Sequence, residues 1–141
     1  MNKPMTMTDT AAAFFDTIET GKGWAACAPF CVPGATFSCQ SDALAEIDTI
    51  EAYAGWMEGL LKLAPDGHYE IKAFATDDAR ATVLGFAVFH GTHTDEGGPV
   101  PPTGRSVAAD YVYAMTFDGP KIKHMTKIWN DAQSMRALGW A

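Results

Sequence analysis

The sequence predicts an α+β domain: helices first, then an antiparallel meander, then one short closing helix. Three observations carry this. Apolar residues recur at helical spacing in the first half, the period changes to two from His68 onward, and short turn sequences separate the alternating runs.

The first helix runs through "AAAFFDTIET", with Ala11, Phe14, Phe15 and Ile18 on one face, Thr8 or Thr10 as cap and Gly21 as stop. "WAACAPFC" predicts a second, short helix ended by Pro29 and Pro33, and "GATFSCQ" a short strand. A longer helix opens at Asp48 or Thr49 and continues through "IEAYAGWMEGLLKLA" to Pro65 and Gly67. Its apolar stripe contains Ile50, Tyr53, Ala54, Met57, Leu60 and Leu61, and Trp56 lies beside it. "HYEIKAFATDD", "RATVLGFAVFHGTHT", "SVAADYVYAMTF" and "KIKHMTKIWND" are four strands, joined at "DDA", at the loop "DEGGPVPPTG" and at "DGP". "DAQSMRALGWA" closes the chain as a helix with Met135 and Leu138 on one side and Gly139 at its stop. Two strands are apolar on both faces, so the side of the sheet away from the helices needs cover, and a symmetric dimer supplies it.

The 141 residues fit one domain, with an ordered core expected over about 8–140. A net charge of −7 opposes binding to nucleic acid or to an anionic membrane, both of which need clustered Lys and Arg. No apolar run reaches the length of a spanning helix, and "MNKPMTMTDT" lacks the apolar core of a signal peptide, so the expected location is the cytoplasm. Cys27, Cys31 and Cys39 form no Cys-x-x-Cys pair and read as buried thiols, with Cys27 lining a pocket as the alternative. His68, His90, His93 and His124 have no metal-ligand spacing, and no phosphate loop, dinucleotide fingerprint or nucleophile elbow is present. Neither a metal nor a cofactor is expected.

The candidate chemistry lies in a few polar residues set in apolar strands. Asp110 interrupts "VAADYVYAM", as a general acid/base or as half of a structural pair with Arg105, Lys127 or a backbone donor. His93 sits where a strand meets the Gly/Pro loop, as a functional side chain or as a loop histidine bonded to backbone. Tyr111 and Tyr113 share a strand face and project phenols into either a cavity or the core. Lys127 alternates with Met125 and Trp129, either snorkelling outward or buried with a depressed pKa, able to stabilise an oxyanion or act as a base. The four Trp, four Tyr and eight Phe exceed what a small core requires. An apolar ligand pocket would draw on Trp24, Phe37, Tyr53, Trp56, Met57, Met125 and Trp129.

The ending "PPTGR... DYVYAMTFDGPKIKHMTKIWNDAQSMRALGW" combines a Pro-Thr-Gly loop, a strand, a turn before Lys-Ile, a strand ending in Trp and Asn-Asp, and a final Leu-Gly. It resembles the SnoaL-like polyketide cyclases of the nuclear transport factor two-like superfamily. The resemblance implies a cone-shaped, curved antiparallel sheet (a cystatin-like roll) wrapped around N-terminal helices, an apolar pocket, and a homodimer through the sheet. In such cyclases an aspartate on the last long strand is the general acid/base of an aldol closure. Aligned without gaps from Lys121-Ile122 to Leu138-Gly139, this sequence has Lys127 at the aspartate's position and Met125 where a histidine is frequent.

Two functions follow. One is cofactor-independent proton-transfer chemistry of cyclase, isomerase or dehydratase type on a small hydrophobic carbonyl compound. In it Asp110 or His93 moves the proton, and Lys127 and Tyr113 stabilise developing negative charge. The other is a non-catalytic ligand-binding or dimerisation module in which Lys127 and Asp110 neutralise each other.

Overall fold

A computed structural model describes residues 5–141; residues 1–4 of the expected domain lie outside the described residues. Helix α1, Met7–Glu19, begins at Thr6 rather than at Thr8 or Thr10. The Thr6 hydroxyl accepts from the Asp9 N–H while the Asp9 carboxylate accepts from the Thr6 N–H, so a reciprocal box satisfies two otherwise orphaned donors. Helix α2, Trp24–Cys27, is followed by a single 3-10 turn at Ala28–Phe30. Helix α3, Ile50–Leu63, is capped by Thr49, whose hydroxyl accepts from the Ala52 N–H.

Five strands follow the order β1-β5-β4-β3-β2 in one sheet. They are β1 (Cys31–Cys39), β2 (His68–Asp77), β3 (Thr82–Thr92), β4 (Ser106–Asp118) and β5 (Lys121–Trp129). The last four form the expected antiparallel meander. The expectation of a wholly antiparallel sheet is corrected at β1, which pairs parallel to β5. Parallel neighbours require a long crossover, and the chain between them supplies α3 and three strands. β1 also starts at Cys31, ahead of the expected Gly34, and passes through Pro33; an edge strand tolerates the missing donor.

Extra residues at Lys72 in β2 and at Lys123 in β5, opposite Thr116 and Phe117 of β4, shift the register, add local twist and help bend the sheet around the helices. The concave face carries Ala109, Tyr111, Tyr113 and Met115 of β4. Opposite them on β5 lie Trp129, Lys127 and Met125. Phe14, Phe15 and Ile18 of α1 pack into this concavity together with Ile50, Tyr53 and Met57 of α3. Each of these fully buried apolar side chains contributes about 1.5–3 kcal/mol. The glycine at position 85 on β3 is required by closeness: a Cβ there would sit 2.9 Å from Phe74 and 3.0 Å from Phe15. Helix α4, Asp131–Leu138, closes one end of the cone, with Asn130 as N-cap and Gly139 in the left-handed region at φ 77°. This α+β arrangement agrees with the curved roll that the resemblance implies, and among the described residues no helix is long and apolar enough to cross a membrane.

Candidate functional site

Lys127 lies inside the cone, 7% exposed, because the alternation of β5 puts it on the same face as Met125 and Trp129. Its ammonium donates to the Tyr53 hydroxyl at 2.9 Å. Tyr53 in turn hydrogen-bonds the Tyr113 hydroxyl, and Tyr113 hydrogen-bonds a carboxyl oxygen of Glu19. The second oxygen of Glu19 accepts from the Tyr111 hydroxyl at 2.8 Å. An ammonium can only donate and a carboxylate can only accept, so the protons of the chain run from Lys127 through Tyr53 and Tyr113 to Glu19. Four elements meet here: α1 brings Glu19, α3 Tyr53, β4 the two other tyrosines and β5 the lysine.

Glu19 is 2% exposed. It follows Phe15 by one helical turn, so it belongs to the apolar stripe of α1, and a carboxylate on that stripe is the sequence signal of a buried acid. Burial pushes its carboxyl above the ordinary carboxylate range, while the Lys127 charge and the two phenol hydrogen bonds pull it back. Burial likewise lowers Lys127 to about 8, opposed by the charge of Glu19. Both ends are therefore driven toward a neutral amine and a neutral acid, and each charge is held up by the other. Tyr53, Tyr111 and Tyr113 are raised above the ordinary phenol value, first by burial and then by Glu19, so they stay protonated.

Lys127, Glu19 and Tyr111 all border a cavity of about 40 Å³. Trp56, Met57 and Leu60 of α3, Trp129 of β5, and Leu138 and Trp140 at the C-terminal end are part of its wall. Nζ lies 4.3 Å from the Trp129 ring centre, 5.2 Å from Trp56 and 5.4 Å from Tyr111, a set of π faces that favours a cation in an otherwise apolar space. A wider groove of about 440 Å³ lies outside, lined by Leu63, Gly97, Pro99 and again Trp56, Leu60 and Trp140. The residues common to both spaces partition them. Trp140 is fixed by donating from its indole N–H to Nδ1 of His93 at 2.9 Å.

Of the expected site residues, Lys127 and Tyr113 belong to the buried chain, as does Tyr53, and Trp56, Met57 and Trp129 line the cavity beside it. Asp110 is elsewhere: it points to the convex face and is exposed, because β4 alternates and Ala109 and Tyr111 take the inner positions. The expected pairing of Asp110 with Lys127 is thereby excluded; Glu19 is the lysine's acidic counterpart. His93 is buried but does not line the cavity. Its Nδ1 accepts from Trp140, so its proton is on Nε2, which meets the Asp95 carbonyl at 3.0 Å. Phe37 stacks on Tyr53 at 4.5 Å within the core, Met125 is fully buried core, and Trp24 packs against the core from its edge. None of these three lines the cavity. Cys27 and Cys31 are buried, with thiols pushed up to about 11 and about 12 by desolvation. Among the described residues no group of three or more His, Cys, Asp or Glu could hold a metal ion.

No curated protein matches the sequence. Solved structures do match its fold. IdmH, a candidate polyketide cyclase from Streptomyces antibioticus, is 20% identical with a TM-score of 0.78, over 96% of this chain and 99% of that one. AclR, a candidate hydroxylase from Streptomyces galilaeus, is 21% identical with a TM-score of 0.71, over 96% and 88%. A cystatin-fold protein from Novosphingobium aromaticivorans is 16% identical with a TM-score of 0.65, over 89% and 99%. The family model of the SnoaL-like polyketide cyclases matches residues 9–138, nearly the whole chain. With the curved sheet, the enclosed helices and that match together, the chain belongs to the SnoaL-like polyketide cyclase family.

Proposed function

We propose that this protein is a cofactor-independent enzyme that moves a proton on a small hydrophobic carbonyl compound, by chemistry of the cyclase, isomerase or dehydratase type. The observation that carries the reading is the hydrogen-bonded chain from Lys127 to Glu19 with its lysine end in an aromatic cavity. The neutral amine of Lys127 removes a proton from the carbon next to the carbonyl. One proton shifted from the ammonium through Tyr53 and Tyr113 to the Glu19 carboxylate frees that amine beforehand, and the ammonium formed by abstraction gives its proton back when the enolate is reprotonated. The ammonium also faces the oxygen on which enolate charge develops. A cavity of about 40 Å³ holds little more than water, so a ring-sized substrate enters only when Trp140 swings aside and joins the cavity to the outer groove.

Solvent-deuterium exchange at the α-carbon of cyclohexanone, followed by NMR, tests this without knowledge of the natural substrate. The wild type accelerates exchange, and Lys127→Met loses on the order of 10²-fold or more of that acceleration. Equal acceleration by the variant contradicts the assignment. One observation favours the alternative of a non-catalytic binding or dimerisation module: among the described residues every buried side-chain polar atom already has a partner, so the network is complete without a ligand. No acceleration by the folded wild type would support that module.

A further inference from the structure

We infer that Lys127 is a nucleophile as well as a base, and that it forms an imine with an aldehyde or unhindered ketone bearing an apolar body. This rests on the proton-transfer reading above and goes further, since it makes the substrate covalently bound.

Geometry is the ground for it. Among the described residues Nζ has one hydrogen-bond partner, Tyr53, and no direct ion pair; its charge partner Glu19 is reached through the tyrosines. Lys127 lines the cavity, so a carbonyl carbon held there can reach its nitrogen. Three aromatic rings within 5.2 Å, those of Trp129, Tyr53 and Trp56, favour a cation at that point whether it is the ammonium or an iminium that replaces it. Glu19, Tyr111 and Ser134 also line the cavity, but both Glu19 oxygens are engaged by tyrosine hydroxyls and the Ser134 hydroxyl accepts from the Trp129 indole, so the amine is the nucleophile the cavity presents to a carbonyl.

The proton inventory also closes. In the neutral state Lys127 is an amine and Glu19 an acid. The amine lone pair attacks the carbonyl carbon, the C=O electron pair moves to oxygen, and a nitrogen proton transfers there to give a carbinolamine. Loss of water requires one further proton. Tyr53, adjacent to Nζ, donates it, is refilled by Tyr113, and Tyr113 by Glu19. The C–O bond breaks, a C=N bond forms, and the products are water, a cationic iminium and the Glu19 carboxylate. Iminium and carboxylate then stand where the ammonium and carboxylate stood. Nothing is oxidised or reduced. Lys127, lowered to about 8 from the ordinary 10.5, has at pH 7 a neutral fraction roughly 300-fold larger than that of an exposed lysine.

The test uses intact wild-type protein with cyclohexanone at pH 7 and two readouts. Cyanoborohydride is expected to fix an N-cyclohexyl group on the peptide containing Lys127 at least tenfold faster than on any peptide carrying another lysine. Ketone labelled with oxygen-18 is expected to lose its label to water faster with protein than without, because imine formation and hydrolysis exchange the oxygen. Adducts confined to other lysines, or label retained at the uncatalysed rate, overturn the proposal. If α-deuterium exchange is accelerated while the label is retained, Lys127 acts only as a base: the imine falls and the proton-transfer reading stands. If neither exchange is accelerated, both fall.

Discussion

Lys127 is a lysine that the fold keeps dry. Its ordinary value of 10.5 falls to about 8 on burial. The unfolded chain therefore binds the extra proton between these values and the folded chain does not. Stability must rise with pH across that window, being fully penalised below pH 8 and relieved above 10.5. The difference in stability between Lys127→Met and the wild type, followed by urea unfolding from pH 7.5 to 10.5, should shift in favour of the wild type by about 3 kcal/mol. A difference that does not change with pH would mean the lysine is solvated. Glu19 has the opposite sign: its raised value makes the folded chain bind more protons above the ordinary carboxylate value of 4.5, so its ionisation costs stability as pH rises from there. The two charges support each other, so the stability changes of Glu19→Gln and Lys127→Met should be non-additive, with a coupling of about 1–3 kcal/mol in a double-mutant cycle. The sequence showed Lys127 as a charge on an apolar face but not its partner. Asp110 drew attention because it interrupts an apolar strand, yet that strand is apolar on both faces and its outer face tolerates a carboxylate.

The elements were legible where period and punctuation agreed. Strands β2 to β5 and helix α3 lie where alternation and helical spacing put them, with boundary changes of a few residues. The parallel partner of β1 was not legible, because local pattern carries no information on which distant strand pairs with an edge. The wall of the cavity was only partly legible, since Trp140 sits beyond the last helix and is placed by a hydrogen bond to His93, 47 residues earlier. That bond makes a prediction at this scale. Trp140→Phe keeps the ring and removes the donor, leaving Nδ1 of a buried histidine unpaired, which costs about 1–3 kcal/mol in thermal or urea unfolding. The same variant should admit carbonyl probes to the inner cavity more readily. The packing of α1 on β3 is equally specific: Gly85→Ala forces Phe15 or Phe74 to move and should cost about 1–3 kcal/mol.

At the scale of the molecule, the concave side of the sheet is filled by helices while the convex side carries an apolar row. Phe86, Val112 and Ile128 are cross-strand neighbours there, and Phe86 and Ile128 are 37% and 62% exposed. We propose that a second copy covers this face, as the two-sided apolarity of the strands suggests. Sedimentation should then report a dimer for the wild type and a folded monomer for Ile128→Glu; a wild-type monomer would contradict it. The fold and family could be read from the order of elements and the closing motifs, whereas the site depends on contacts between α1, α3, β4 and β5 that no local pattern contains. The central claim is that Lys127 and Glu19 are the two ends of one proton chain. Titration of the Lys127 Nζ by NMR on lysine-labelled protein tests it most directly. A midpoint near 8 is expected, moving lower in Glu19→Gln, where the charge that sustains the ammonium is gone. A midpoint at the ordinary lysine value of 10.5, or one that the substitution leaves in place, would contradict it.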